Sequence, residues 1–397
     1  MKRTRRFFCT LFAGALALLT LASCSLPDLP QLYAESEELS SSAEEILPEP
    51  VTDSIYLAFN KLTAREQVLY QDIISQINEY EMSILCKKVS EDEALNAYGA
   101  VLADHPEFVW LGENYQAVSY EQSDQQQTTI TSASSLAAVK DPTLTEQKRA
   151  ELNNVVETIL IEARTLPTAY EQALYIHDYI VDHTQYDMDA YHTITEEVTW
   201  GFILTDGSTA YDCLVEGQAI CTGYAAAFQL LAQELGIRCG RVCGEDLISA
   251  EGHEWNYIEL DGDWYYVDTT WDDPVTDDGS DEKCHYYFCI TTEELEMTHR
   301  IDEDFTPPDC TATTYDYYRY HGWYLDSYSF SAAASILRAQ SGNDEVFLKF
   351  SSPQEREKAQ IDLVEKARIF DVDPAFQNKE WIHYSFDNAG LVLTLWF

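Results

Sequence analysis

The chain has 397 residues, a formal net charge of −45, 46% hydrophobic residues and 13% aromatic residues. That apolar content excludes a mostly disordered protein, and the length calls for more than one hydrophobic core. The charge repels nucleic acid, anionic wall polymers and anionic membrane surfaces, so nucleic-acid binding is discarded.

In chain order, "MKRTRRFFCTLFAGALALLTLASC" comes first, with a basic start, an apolar run from Phe7 to Leu19 and small residues before Cys24. It reads as a secretory signal over residues 1–23, too short to be taken for a membrane span. Leu21-Ala22-Ser23-Cys24 resembles the bacterial lipobox, whose cysteine is lipidated and becomes N-terminal after cleavage. The expectation is an exported bacterial lipoprotein held by Cys24 on the extracytoplasmic face of the cell membrane. Residues 24–53 are rich in Pro, Ser and Glu and read as a disordered tether.

Residues 54–143 read as a small helical and hairpin domain. Thr63 with Glu66 and Ser90 with Glu93 are capping boxes ahead of two amphipathic helices. A hairpin about the polar Asp124 region follows. Residues 144–312 form the next unit. It opens with helices at Thr145 to Ala163 and Thr168 to Asp182, the second with a Thr168/Glu171 box. Met188 to Thr209 shows no periodicity and reads as a loop. Residues 313–397 read as a third, compact α+β unit. It has an aromatic stretch (Tyr315 to Phe330), a strand (Glu345 to Phe350), a helix (Pro353 to Ile369) and a hairpin ending in "LVLTLWF".

The chemistry centres on "QAICTGYAAAFQLLAQELG". Tyr224, Ala227, Phe228, Leu231 and Leu235 follow helical spacing and Gly236 stops the helix. Cys221 then sits at the first turn, where free N–H groups and the positive end of the dipole favour a thiolate. Downstream, "GHEWNYIELDGDWYYVDTTWDDP" reads as a hairpin with Asp261-Gly262 as a type I′ turn. Setting Leu260 opposite Asp263 puts His253 and Asp268 on one face as diagonal neighbours. A histidine oriented by a carboxylate, with a cysteine at a helix start, is the thiol form of a nucleophile–base–orienter site.

These stretches, "YDCLVEGQAICTGYAAAFQLLAQELGI" and "GHEWNYIELDGDWYYVDTTWDDP", resemble the core of the transglutaminase-like superfamily, and "YIHDYIVDHTQYD" resembles the helix that opens such cores. The resemblance spans Tyr175 to Pro274. It implies a papain-like α+β core, with the cysteine helix packed on an antiparallel sheet carrying His and Asp, flanked here by smaller α+β domains. It places the nucleophile on Cys221, the base on His253 and the orienting acid on Asp268. One departure is Glu254, where the family's usual His-Ala-Trp has alanine; strand alternation sends it to the opposite face. The Cys221 N–H is the first oxyanion donor, with Tyr211 and Gln218 as candidates for a second.

Such a site acts on an amide or peptide carbonyl of a protein or peptide substrate, cell-wall-associated ones among the candidates, through a thioester. Amine acceptors give cross-linking; water gives deamidation or proteolysis. No cofactor and no metal is expected. Animal relatives depend on calcium, but "DDPVTDDGSDE" fails the EF-hand spacing and reads as a solvated loop. Cys239, Cys243, Cys284 and Cys289 read as disulfides or free buried thiols rather than zinc ligands. The competing function is a catalytically silent surface-binding module that grips a partner through Tyr315 to Phe330.

Overall fold

A computed structural model describes residue 47 and residues 49–396, except 82, 113–114, 123–124, 133–141, 197–206, 275–282, 304, 378–381 and 387–390. The expected signal, Cys24, most of the tether and the acidic loop beyond Pro274 lie outside the described residues. No helix among the described residues is long and apolar enough to cross a membrane.

The first unit starts as its caps predict. In α1 (Ala64–Asn78) and α2 (Glu91–Asp104), Thr63 and Ser90 accept the N3 backbone N–H, and Glu66 and Glu93 accept the cap N–H in return. Leu69, Tyr70, Ile73, Leu95, Tyr98 and Val101 form its core. They lie with an antiparallel sheet of order β1-β3-β2: β1 (Ile84–Lys87), β2 (Tyr115–Gln122) and β3 (Gln125–Ser132). The expected hairpin is present. β1 is an addition, because four residues are too few to show a period.

The second unit holds α3 (Pro142–Ala163), α4 (Ala169–His183), β4 (Gln185–Tyr186) and α5 (Met188–Glu196). The helix α5 corrects the loop expected from Met188. Asp187 starts it, its carboxylate accepting Ala190 N–H at 2.8 Å and its carbonyl accepting Tyr191 N–H. Next come β5 (Gln218–Ala219), α6 (Cys221–Glu234), β6 (Cys239–Asp246), β7 (Gly252–Leu260) and β8 (Asp263–Val267). β9 (Phe288–Ile290) and β10 (His299–Ile301) complete an antiparallel sheet of order β10-β6-β7-β8-β9. The apolar face of α6, with Tyr224, Ala227, Phe228 and Leu231 all buried, lies on β6 and β7.

The end of α2 docks on α6 and β6 through polar groups. Helix-terminal carbonyls have no partner within their own helix. Here Arg241 donates to Leu102 O at 3.0 Å and Gln229 to Ala103 O at 2.8 Å. Arg241 also meets buried Glu254 at 2.9 Å, so the departure beside His253 points away from the site, as alternation predicts.

The third unit stacks α7 (Phe330–Ala339) and α8 (Pro353–Ala359) on β11 (Tyr324–Leu325), β12 (Glu345–Phe350), β13 (His383–Phe386) and β14 (Val392–Trp396), in the order β11-β12-β14-β13. The single helix expected over Pro353 to Ile369 is interrupted: Ala367 adopts φ of 54°, and a separate turn begins at Arg368. Lys349 on β12 reaches back to the second unit's end, 2.7 Å from Asp316 Oδ2 and 3.6 Å from Glu294 Oε1, all three groups little exposed.

Candidate active site

Cys221 is the first residue of α6, buried at 5% exposure. Ile220 is extended and offers no side-chain cap, and the N–H groups of Cys221 and Thr222 find no acceptor among the described residues. That leaves two donors and the positive end of the dipole beside the sulfur. The turn is held close to its surroundings. A Cβ on Gly223 would collide with Gly207 O and come within 2.8 Å of Ala219 Cβ, so only glycine lets this turn seat. β4 runs parallel to β5, with Tyr186 opposite Ala219, two residues ahead of Cys221.

The β7–β8 hairpin has the register that the turn residues predict. Asp261 and Gly262 take positive φ of 53° and 89°, and the ladder runs from Leu260↔Asp263 to Asn256↔Val267. Asp268 follows directly, and its Oδ2 accepts His253 Nε2 at 2.6 Å. Its Oδ1 accepts the N–H groups of Thr270 and Trp271, each at 3.1 Å. His253 Nε2 is engaged by Asp268, and the same imidazole also interacts with the Cys221 thiol. The structure therefore brings Cys221, His253 and Asp268 into one chain of contacts.

Electrostatics follow from burial. Desolvation opposes charge on His253, but the Asp268 carboxylate and the contact with Cys221 outweigh it and hold the imidazole well above its ordinary pKa. Desolvation likewise opposes charge on Asp268, and His253 and His299 together carry its carboxyl below the usual range.

His299, on β10, is a member of this site that sequence reasoning missed. Its Nε2 lies 3.1 Å from the same Asp268 Oδ2, and its ring meets those of Trp271 at 4.5 Å and Trp255 at 4.9 Å. No local spacing announces it; only the β10–β6 pairing of His299 with Asp246 brings it in. The expected oxyanion candidates fare differently. Tyr211 donates its hydroxyl to Glu151 on α3 at 2.6 Å, with Lys148 over its ring. That hydroxyl is committed to a carboxylate, which withdraws Tyr211 as a donor. Gln218 lies exposed on β5. Tyr186 is half-buried, its hydroxyl has no partner among the described residues, and its ring lies near Cys221.

Among the described residues, two sets of three donor atoms lie within 4.8 Å of one another: His253, Asp268 and His299, and His177, Asp178 and His285. In both, hydrogen bonds to one carboxylate oxygen already join the histidines. Asp178 Oδ1 lies 3.1 Å from His177 Nδ1 and 2.8 Å from His285 Nε2. The second set anchors the chain after Asp268. His177 Nε2 is 3.1 Å from Asp272 Oδ2, Asp272 accepts Tyr287 N–H at 3.0 Å, and Asp272 N–H donates to Asp268 O at 3.2 Å. Burial opposes charge on His177, but its bonds to Asp178 and Asp272 prevail and raise its pKa to about 9. A raised histidine stabilises fully below its unfolded pKa of ~6.5 and loses that contribution as pH climbs through its folded value. The thermal midpoint is thus expected to fall between pH ~6.5 and ~9, and His177→Asn should flatten that fall; identical slopes in both proteins would contradict it.

The eight described cysteines are all buried and unbridged, which selects free thiols over disulfides at these positions. Burial pushes the thiols of Cys86, Cys213, Cys239, Cys289 and Cys310 well above the ordinary range.

Residues 160–269 match the family model of the transglutaminase-like superfamily, a segment containing Cys221, His253 and Asp268. Kyphoscoliosis peptidase of Mus musculus is 27% identical over 139 residues, covering 32% of this chain and 19% of that protein. The Homo sapiens protein of the same name matches to the same extent. The chain thus spans about a fifth of the length of these curated relatives. A solved TGase structure aligns at 14% identity over 47% of this chain and 50% of that one, with a TM-score of 0.27. A putative cysteine protease from Cytophaga hutchinsonii aligns at 14% identity over 39% and 61%, with a TM-score of 0.24. The cysteine-bearing helix α6 and the antiparallel strands β6, β7 and β8 that carry or lead to His253 and Asp268 all lie within the segment that matches the transglutaminase-like superfamily.

Proposed function

We propose that the protein is a thiol-dependent acyl-transfer enzyme acting on carboxamide or peptide carbonyls. The observation that carries this reading is one imidazole that binds the Asp268 carboxylate through Nε2 and also interacts with the Cys221 thiol at the start of α6. Cys221 Sγ, deprotonated by His253, attacks the carbonyl carbon. The oxyanion that forms meets the free N–H at the start of α6, with the Tyr186 hydroxyl or the Gln218 amide as second donor. The C–N bond then breaks as His253 gives its proton to the leaving amine, and a thioester on Cys221 remains. His253 next takes a proton from the acceptor, which attacks the thioester and frees the thiol.

The relatives named as peptidases support water as the acceptor; an amine would give cross-linking through the same thioester. A cleft of about 640 Å³ includes Ile248, Pro274, Met297, Thr298, Phe386 and Trp396 in its lining, and its Thr298 edge adjoins His299. The N-terminal stretch supports a place outside the cell with Cys24 lipidated; loss of membrane-fraction protein in Cys24→Ala tests that part.

The deciding measurement is mass spectrometry of glutamine-containing peptides incubated with and without an amine donor. Cleaved peptides identify a peptidase, amine adducts a transamidase, and a one-unit mass gain a deamidase. Products identical to those of Cys221→Ala would reject the enzyme and favour the silent binding module.

A further inference from the structure

Asp268 Oδ2 accepts two imidazoles, His253 Nε2 at 2.6 Å and His299 Nε2 at 3.1 Å. Thr270 and Trp271 N–H groups take the other oxygen, so four donors surround this carboxylate. The protonation of His299 follows from its other edge. Tyr287 donates its hydroxyl to Thr298 Oγ1 at 3.2 Å, and Thr298 Oγ1 lies 2.8 Å from His299 Nδ1. The alternative acceptor for the Thr298 proton, Leu295 O, is farther at 3.4 Å. The threonine proton therefore goes to Nδ1, which leaves Nε2–H pointing at Asp268. Burial opposes a second positive charge here, and the neighbouring His253 opposes it further. His299 is thus a neutral donor with a fixed tautomer.

We propose that His299 is a positioning residue: it holds the Asp268 carboxylate toward His253 and, by sharing that carboxylate's charge, sets how readily His253 parts with a proton. The inference rests on the thiol-acyl reading for its catalytic meaning, and the residue lies beyond the segment matched by the family model. An unshared carboxylate would hold the His253 imidazolium more tightly. The ion pair with Cys221 would form more readily, and the imidazolium would be a poorer acid toward a leaving amine. The neutral second histidine moderates both. Other titratable groups around the cluster are Cys221 on α6, Tyr186 on β4, Tyr191 on α5, Tyr287 ahead of β9, Asp246 at the end of β6 and Glu251 ahead of β7. Asp246 favours charge on His299, but burial prevails.

The test is the pH profile of Cys221 alkylation by iodoacetamide in the native full chain, which needs no substrate. His299→Phe keeps a ring against Trp255 and Trp271 and removes the donor. Its acid limb is expected to move down by about one pH unit, raising the alkylation rate on that limb about tenfold. His299→Gln, which restores an N–H, should return the limb toward wild type. Thr298→Val, which frees the tautomer, should move it in the same direction as the Phe variant and serves if that variant does not fold. Superimposable profiles in wild type, the Phe variant and the Val variant would overturn the proposal. A moved limb in a protein that turns over no peptide upholds the positioning role and rejects the enzyme reading instead.

Discussion

Asp268→Asn is expected to lower turnover by about 10⁴-fold in kcat, as loss of the orienting carboxylate does in a Ser-His-Asp site, with little change in KM. The asparagine oxygen can still accept the Thr270 and Trp271 N–H groups, so the turn after β8 survives. Its amide NH₂ then faces His253 and His299, and two donors cannot share an N–H. His253 must shift its proton to the edge that faces Cys221, and the base is lost at the sulfur. Measured kcat and KM on the peptide found by the mass-spectrometric screen decide this. A loss of under tenfold, or one expressed entirely in KM, would mean that Asp268 serves folding rather than orientation.

Lys349→Met is the change expected to cost most in stability among the described ion pairs. Lys349 is 3% exposed and Asp316 is fully buried, so the variant strands a carboxylate without its cation. Removing one partner of such a pair costs about 3–5 kcal/mol. Adding Asp316→Asn should recover most of it, since the amide oxygen still accepts Arg319 N–H at the start of its turn and the fully buried carboxylate is gone, leaving only the partly exposed Glu294 without Lys349. Urea unfolding of wild type, single and double variants reads the difference. A double variant no more stable than the single one would show that lost methylene packing, rather than the stranded charge, is responsible.

What could be read from the sequence was local in its physics. Thr63, Ser90 and Thr168 announce helix starts because a cap and its N3 glutamate lie three residues apart. Asp261-Gly262 fixes the hairpin register, and with it the face shared by His253 and Asp268, because the turn demands two positive φ values. What escaped depends on contacts between distant segments. His299 joins through a three-residue strand whose partner lies more than fifty residues upstream. Tyr211 looked suited to an oxyanion, but the hydroxyl is taken by Glu151 on α3, a packing that periodicity does not encode. The helix α5 was hidden because its start signal comes from a single side chain, Asp187, with no glutamate three residues on to complete a capping box.

The order β10-β6-β7-β8-β9 has one more consequence. The family segment ends at residue 269, yet the strands covering the outer edges of β6 and β8 come from residues 288–301. Excised at its family boundary, the segment would keep all three residues of the proposed triad and expose the outer edges of β6 and β8 as unsatisfied backbone. Open flanks of that kind recruit strands from neighbouring molecules. The excised piece should therefore self-associate into aggregates, and the minimal soluble unit extends at least through β10.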